Sequence, residues 1–190
     1  MARPCVFLDR DGTLHPDVDF LRLPSQLKLY PGAGAAVARL NRHGIPVVVV
    51  TNQSGVARGM LDEPQLAEIH AELARQLAEH GARLDGLYYC PHHPTEGSAP
   101  YRMACSCRKP NPGMLIQASQ EHQLDLGASW IVGDSARDLQ AGAAVGARGI
   151  LVSTGKGSST AGGLRESGRE LLYVPDLAAA VELILPAQGR

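Results

Sequence analysis

Short apolar runs alternate along the chain with longer stretches of helical period. The runs Cys5–Leu8, Pro46–Val50, Gly86–Tyr89, Trp130–Val132, Gly149–Val152 and Leu171–Val174 predict strands. "PVVVVT" and "RGILVS" are nearly continuous and β-branched, as expected of strands covered on both faces. Helical spacing predicts helices over Ala33–His43, Glu63–His80, Gly113–His122, Ala136–Val145 and Leu177–Leu185. In the second of these, Leu66, Ile69, Leu73 and Leu77 form one apolar stripe, with Asp62 as N-cap, Pro64 in the first turn and Gly81 as the stop. This alternation predicts an α/β fold, a parallel sheet with right-handed crossovers and helices on both faces. Two stretches break the rhythm. Residues 90–112 hold Pro, Gly and Cys without periodicity, and "STGKGSSTAGGLRESG", residues 153–168, reads as a mobile loop. With no repeat and no second domain in the pattern, residues 1–190 read as one domain.

Composition narrows the class. Of the 190 residues 44% are hydrophobic, enough for a globular core, yet no apolar run approaches the ~18 residues of a membrane span. The first strand follows the N-terminus at once and leaves no room for a signal peptide, so the expected location is cytoplasmic, with no membrane partner. A net charge of -1 argues against general nucleic-acid binding. Cys5 falls in an apolar strand and reads as a small buried hydrophobe. Cys90, Cys105 and Cys107 cluster in sequence with His92 and His93, and in a reducing compartment such clusters favour metal over disulfides. Cys90-x-His92, twelve residues, then Cys105-x-Cys107 suits a closed tetrahedral zinc site, with His93 as the competing imidazole.

Ligands of an open parallel sheet bind beyond the carboxyl ends of its strands. Here the first strand ends in Asp9 and Asp11, the second in Thr51-Asn52-Gln53-Ser54, and "WIVGDSARD" in Asp134 with Asp138 a turn later. Lys109 stands in "CRKPNPG" before another helix. Such a set suits phosphoryl transfer. Asp9 and Asp134 can supply carboxylates to Mg2+, Thr51 can donate to phosphate oxygens, and Lys109 adds positive charge. One of Asp9 and Asp11 can serve as nucleophile and the other as general acid and base, which gives a reason for two carboxylates two residues apart. Asp138 reads instead as a helix cap.

"LDRDGTL", "VTNQSG", "CRKP" and "VGDSARD" resemble, in order and spacing, the four motifs of the haloacid dehalogenase-like phosphatases, over nearly the whole chain. "TNQSGVARG" and "CPHHP…CSCRKPNPGM" are similar to the branch acting on heptose bisphosphates, with histidinol-phosphate phosphatases as relatives. The resemblance implies a Rossmann-like fold and a sugar-phosphate substrate, and the chain is expected to be a monomer. It implies Asp9 as nucleophile, Asp11 as general acid/base, and Thr51 and Lys109 as stabilisers of the phosphoryl group. It also implies Arg108 as a substrate contact beside Asn52, Gln53 and Ser54, and a sugar bordered by Asp17, Val18, Asp19 and Phe20. Magnesium would rest on Asp9, the backbone carbonyl of Asp11, and Asp134; zinc would rest on Cys90, His92, Cys105 and Cys107, in a loop of about residues 90–107. Family members often carry Lys where this chain has Ser135, so one substrate contact differs. Only about 40 residues separate the first two motifs, too few for a cap domain, so the enzyme is expected to be capless.

Histidinol-phosphate hydrolysis and a phosphoacceptor signalling domain stay open as alternatives, although the latter has no use for Asp11. "GILVSTGKGS" is not a nucleotide-binding P-loop, because five residues rather than four separate Gly149 from Gly155 and Gly157 follows Lys156. His15, His43, His70, His80 and His122 read as surface or helix-end residues.

Overall fold

The computed structural model describes residues 2–166 and 171–185. Six strands form one sheet: β1 (Val6–Leu8), β2 (Val47–Asn52), β3 (Gly86–Cys90), β4 (Trp130–Gly133), β5 (Arg148–Val152) and β6 (Tyr173–Val174). Every pairing is parallel, in the order β3-β2-β1-β4-β5-β6. The chain steps outward from β1 to β3, returns to the other side of β1 as β4, and steps outward again. The reversal between β1 and β4 opens the crevice in which such sheets bind ligands.

Six helices fill the connections: α1 (Ala33–Arg42), α2 (Glu63–Glu79), α3 (Gly113–His122), α4 (Ala136–Ala143), α5 (Gly157–Glu166) and α6 (Leu177–Ile184). Strand alternation divides the core. Val6, Leu8, Val47 and Val49 pack with α1, α2 and α6, while Cys5, Phe7, Val48 and Val50 pack with α3 and α4 on the other face. The α2 stripe Leu66, Ile69, Leu73 and Leu77 is wholly buried, and truncating any one of them to Ala costs about 2–5 kcal/mol. Asp62 caps α2 by accepting from Gln65 N at 2.8 Å, and the Gln65 side chain returns a bond to Asp62 N at 2.9 Å. Between β1 and β2 lie only a short 3-10 turn at Pro24–Gln26 and α1, and between β2 and β3 only α2, so neither connection holds a cap domain. No helix among the described residues is long and apolar enough to cross a membrane.

Two expectations change. β2 runs on past the expected end at Val50 through Thr51 and Asn52, which pair with Tyr89 and Cys90 of β3. The stretch expected as a mobile loop carries α5, with residues 167 and 168 of that stretch outside the described residues. Gly, Ser and Thr give α5 little intrinsic propensity. Tertiary contacts supply the rest: Ala161 is buried and Thr160 Oγ1 donates to the Asp134 carbonyl at 3.0 Å. Gly157 lies so close to β5 that an added Cβ would meet Val152 O at 1.6 Å.

Candidate active site

Asp9 leaves the end of β1 with its N–H bonded to the Val132 carbonyl at 2.9 Å, which fixes it at the crevice. Its Oδ1 accepts from Arg10 N at 2.8 Å and lies 2.9 Å from Lys109 Nζ. Among the described residues Oδ2 accepts no hydrogen bond. The Lys109 side chain is 1% exposed and its ammonium also meets Asp138 Oδ1 at 2.6 Å and the Val50 carbonyl at 2.7 Å. Burial pushes Asp9 up to about 7; the charge of Asp138 adds to this and Lys109 opposes it. Burial works against the Lys109 ammonium too, but Asp138 and Asp9 outweigh it and raise its proton affinity.

Asp11 is held differently. Arg10, itself buried, donates from Nε and Nη2 to its two oxygens at 3.2 and 2.9 Å. Gln53 Nε2 donates to Asp11 Oδ2 at 2.7 Å and to Thr51 Oγ1 at 2.8 Å, and His15 Nε2 lies 3.3 Å from Asp11 Oδ1. Burial alone would raise Asp11, but Arg10 and His15 hold it below the ordinary carboxylate range. Arg10 and His15 were not singled out by the sequence. His15, expected at the surface, is 1% exposed, and an Arg directly between two carboxylates was the available signal. His70 is likewise not a surface residue: its Nε2 is buried and its ring lies 5.5 Å from Tyr89.

Asp134, at the end of β4, accepts from Lys156 N at 2.8 Å. Its carboxylate is wedged between Gly12 and Gly155, where added Cβ atoms would fall 2.1 and 2.2 Å from Oδ2. Both glycines have positive φ, +82° and +57°. Burial pushes Asp134 up to about 6 against the Lys156 bond. Asp138 is fully buried in the first turn of α4. It accepts from Ser135 N at 3.0 Å and Ser135 Oγ at 2.6 Å, so the cap is Ser135, and Asp138 also braces Lys109. The carboxylates of Asp9, Asp134 and Asp138 lie within 4.8 Å of one another. Asp138 is committed to Lys109 and Ser135, which leaves Asp9 and Asp134 for a hard cation. The Asp11 carbonyl accepts no hydrogen bond among the described residues and completes an all-oxygen set that fits magnesium.

The cysteines gather beside this centre. Cys107 Sγ lies 3.1 Å from Cys90 Sγ and 3.3 Å from Cys105 Sγ, with Cys90 and Cys105 3.5 Å apart. These are far from the ~2.05 Å of a disulfide and near the about 3.8 Å edge of a tetrahedral zinc–thiolate set. His92 Nδ1 faces them at 3.4 Å from Cys107 and 3.7 Å from Cys90. His93 turns away, with Nδ1 accepting from Glu96 N at 2.9 Å. The donor set therefore contains His92 and not His93, and it fits zinc.

Asp9, Asp11, Thr51, Gln53 and Asp134 border a cavity of about 270 Å³ lined also by Asp17, Asp19, Phe20, Ser54 and Arg108. Val18 stands 46% exposed and is not among the lining residues. Asn52 lines the cavity but engages its whole amide elsewhere, donating to the Lys109 carbonyl and accepting from Lys109 N, each at 3.0 Å. Arg58, Arg137 and Lys156 also line it. Sequence reasoning missed these three because Arg58 stood in "TNQSGVARG" without a role assigned to it, Arg137 was read as part of a helix, and Lys156 was dismissed with the P-loop decoy.

Residues 6–80 match a family model described as haloacid dehalogenase-like hydrolase, and residues 106–180 match one described as HAD-hydrolase-like. The chain belongs to the haloacid dehalogenase-like hydrolases. Within them it is 43% identical over 159 residues to the D-glycero-beta-D-manno-heptose-1,7-bisphosphate 7-phosphatase of Photorhabdus laumondii subsp. laumondii, covering 83% of this chain and 84% of that one. The protein of the same name from Yersinia pestis is 41% identical over 181 residues, covering 94% and 95%. A crystal structure of D,D-heptose 1,7-bisphosphate phosphatase from B. bronchiseptica, complexed with magnesium and phosphate, superposes with a TM-score of 0.83 at 41% identity, covering 95% of this chain and 97% of that one.

Proposed function

We propose that the chain is a magnesium-dependent phosphatase that removes the 7-phosphate of D-glycero-D-manno-heptose 1,7-bisphosphate through an aspartyl-phosphate on Asp9. One observation carries the chemistry: Asp9 is pinned at Oδ1 by a buried ammonium, two residues from a second, ionised carboxylate. The relatives' names supply the substrate. Bound magnesium neutralises charge on the carboxylates and the phosphoryl oxygens. Asp9 Oδ2, the oxygen free of hydrogen bonds, attacks phosphorus as the bond to the sugar oxygen breaks. Lys109 and Thr51 steady the charge on the transferring group. Asp11 gives a proton to the leaving oxygen, then takes one from the water that cleaves the phosphoaspartate. Arg10 and His15 hold Asp11 ionised in the free chain. The proton it donates is therefore one gained when the phosphate dianion arrives beside it, where like charge favours the neutral carboxyl. Zinc held by Cys90, His92, Cys105 and Cys107 fixes the segment that carries Arg108 and Lys109.

The test is phosphate release from a panel containing both anomers of the heptose bisphosphate, heptose 1-phosphate and histidinol phosphate. The expected result is the highest kcat/KM on a heptose bisphosphate, with the 1-phosphate retained, and no turnover by Asp9→Asn. A preference for histidinol phosphate, or phosphate lost first from carbon 1, overturns the reading.

A further inference from the structure

Four cations line the cavity around its carboxylates: Arg58, Arg108, Arg137 and Lys156. Three of them already have partners within the chain. Arg58 pairs with Glu96 and lies 5.4 Å over the Phe20 ring. Lys156 Nζ pairs with Asp17 Oδ2 at 2.6 Å. Arg108 donates from Nη1 to the His92 carbonyl at 3.1 Å. Arg137 has no hydrogen bond or ion pair among the described residues, although it is exposed on the first turn of α4, three residues beyond Asp134. An unpaired guanidinium facing other cations is held there at an electrostatic cost. The carboxylates of the cavity are shared among these cations, and none pairs with Arg137 among the described residues, so a dianion entering the cavity would meet an uncommitted guanidinium.

The transferring phosphoryl group is not that dianion, since Lys109 and Thr51 already face it from the ends of other segments. We propose that Arg137 anchors the second, retained phosphate of a bisphosphate substrate, gripping it from the α4 side while Arg108 faces it from the cysteine-loop side. The planar fork of Arg suits bidentate bonds to phosphate oxygens, and the bond is made to a group that does not react. It is therefore made alike in the ground and transition states, and its loss falls on KM rather than kcat. This inference rests on the sugar-bisphosphate reading above.

The experiment compares wild type, Arg137→Ala and Arg137→Lys on heptose 1,7-bisphosphate and on heptose 7-phosphate, which lacks only the retained group. Wild type is expected to favour the bisphosphate. In Arg137→Ala its KM should rise about tenfold, with kcat within about twofold, and the bisphosphate-to-monophosphate ratio of kcat/KM should fall about tenfold. Arg137→Lys should recover part of the ratio. A wild type that favours the bisphosphate, beside an Arg137→Ala variant with the same ratio, refutes the role of Arg137 and leaves the sugar-bisphosphate reading standing. A wild type indifferent to the second phosphate overturns both.

Discussion

Lys109→Met keeps side-chain length and removes one charge from a fully enclosed site. The ammonium has three partners, Asp138 Oδ1 at 2.6 Å, the Val50 carbonyl at 2.7 Å and Asp9 Oδ1 at 2.9 Å, and its side chain is 1% exposed. Water cannot replace it, so two carboxylates are left buried and repelling. Removing one partner of a buried pair costs about 3–5 kcal/mol, chiefly the penalty of the charge left behind. Asp138→Asn added to Lys109→Met removes one of those orphaned charges while the amide can still accept from Ser135. The double variant should therefore be more stable than the single one, a coupling expected only between groups in direct contact. Equilibrium urea unfolding at neutral pH without magnesium measures both, with the slope of the transition unchanged. Turnover should separate from stability: kcat falls about 10²–10³-fold in the single variant, the scale for losing one preorganised donor, and the second substitution does not restore it. A stability loss under about 1 kcal/mol, or a double variant less stable than the single, refutes the view of Lys109 as the shared counter-charge of Asp9 and Asp138.

Three further outcomes follow from the geometry. Gly12→Ala should weaken magnesium activation, because the new Cβ would lie 2.1 Å from Asp134 Oδ2 on a backbone with φ of +82°; an unchanged magnesium titration of activity contradicts the wedge. Burial lowers His70 to about 3, so the folded chain binds fewer protons than the unfolded one between about pH 3 and 6.5. That contribution to stability is complete above the unfolded value and is lost as pH falls toward the folded one, with a slope of up to about 1.4 kcal/mol per pH unit, and His70→Gln should flatten this acid limb in unfolding experiments. Elemental analysis should find about one zinc per chain, lost in Cys107→Ser together with a fall in kcat and a rise in KM; a metal-free, fully active wild type would remove the cluster from the mechanism.

Elements whose local pattern agrees with their tertiary role were legible in the sequence. The α2 stripe and its cap, the β-branched central strands and the four motifs, three at strand ends and one before α3, all carry their own signal. What was hidden depends on contacts between distant segments. The stretch after β5 looked like a solvated linker because Gly, Ser and Thr give no helical period. It folds against the end of β4 by way of Thr160 and Lys156, and so places Gly155 on Asp134 and Lys156 on Asp17. Asp138 was legible as a first-turn acid but not as the partner of Lys109, since a buried ion pair leaves no periodic trace. Arg10 carried no assigned role and His15 read as a surface residue, and only the turn's burial brings the Arg10 charge and the His15 ring against Asp11.

A lysine that must meet an aspartate within a few tenths of an ångström is carried here on a segment with no regular structure. Its rigidity has to come from hydrogen bonds to its backbone, from side chains and from neighbouring backbone alike. Asn111 Nδ2 donates to the Cys105 carbonyl at 2.8 Å, Gly113 N bonds to the Ser106 carbonyl at 2.9 Å, and Asn52 grips both the N–H and the carbonyl of Lys109. The cysteine cluster closes the other side. Cys90 ends β3 opposite Asn52 in the ladder, and its carbonyl accepts from Gln53 N at 2.7 Å, so one edge of the cluster is tied to the strand that bears Thr51. Cys107, the residue before Arg108, ties the opposite edge to the segment that carries Arg108 and Lys109. A metal in that cluster would therefore join the phosphate-facing end of β2 to the segment holding Lys109, two parts that meet otherwise through Asn52 and the bond from Lys109 to Val50. The cluster need not touch substrate to matter: by joining these two parts it would hold Lys109 and Thr51 in register around the transferring phosphoryl group.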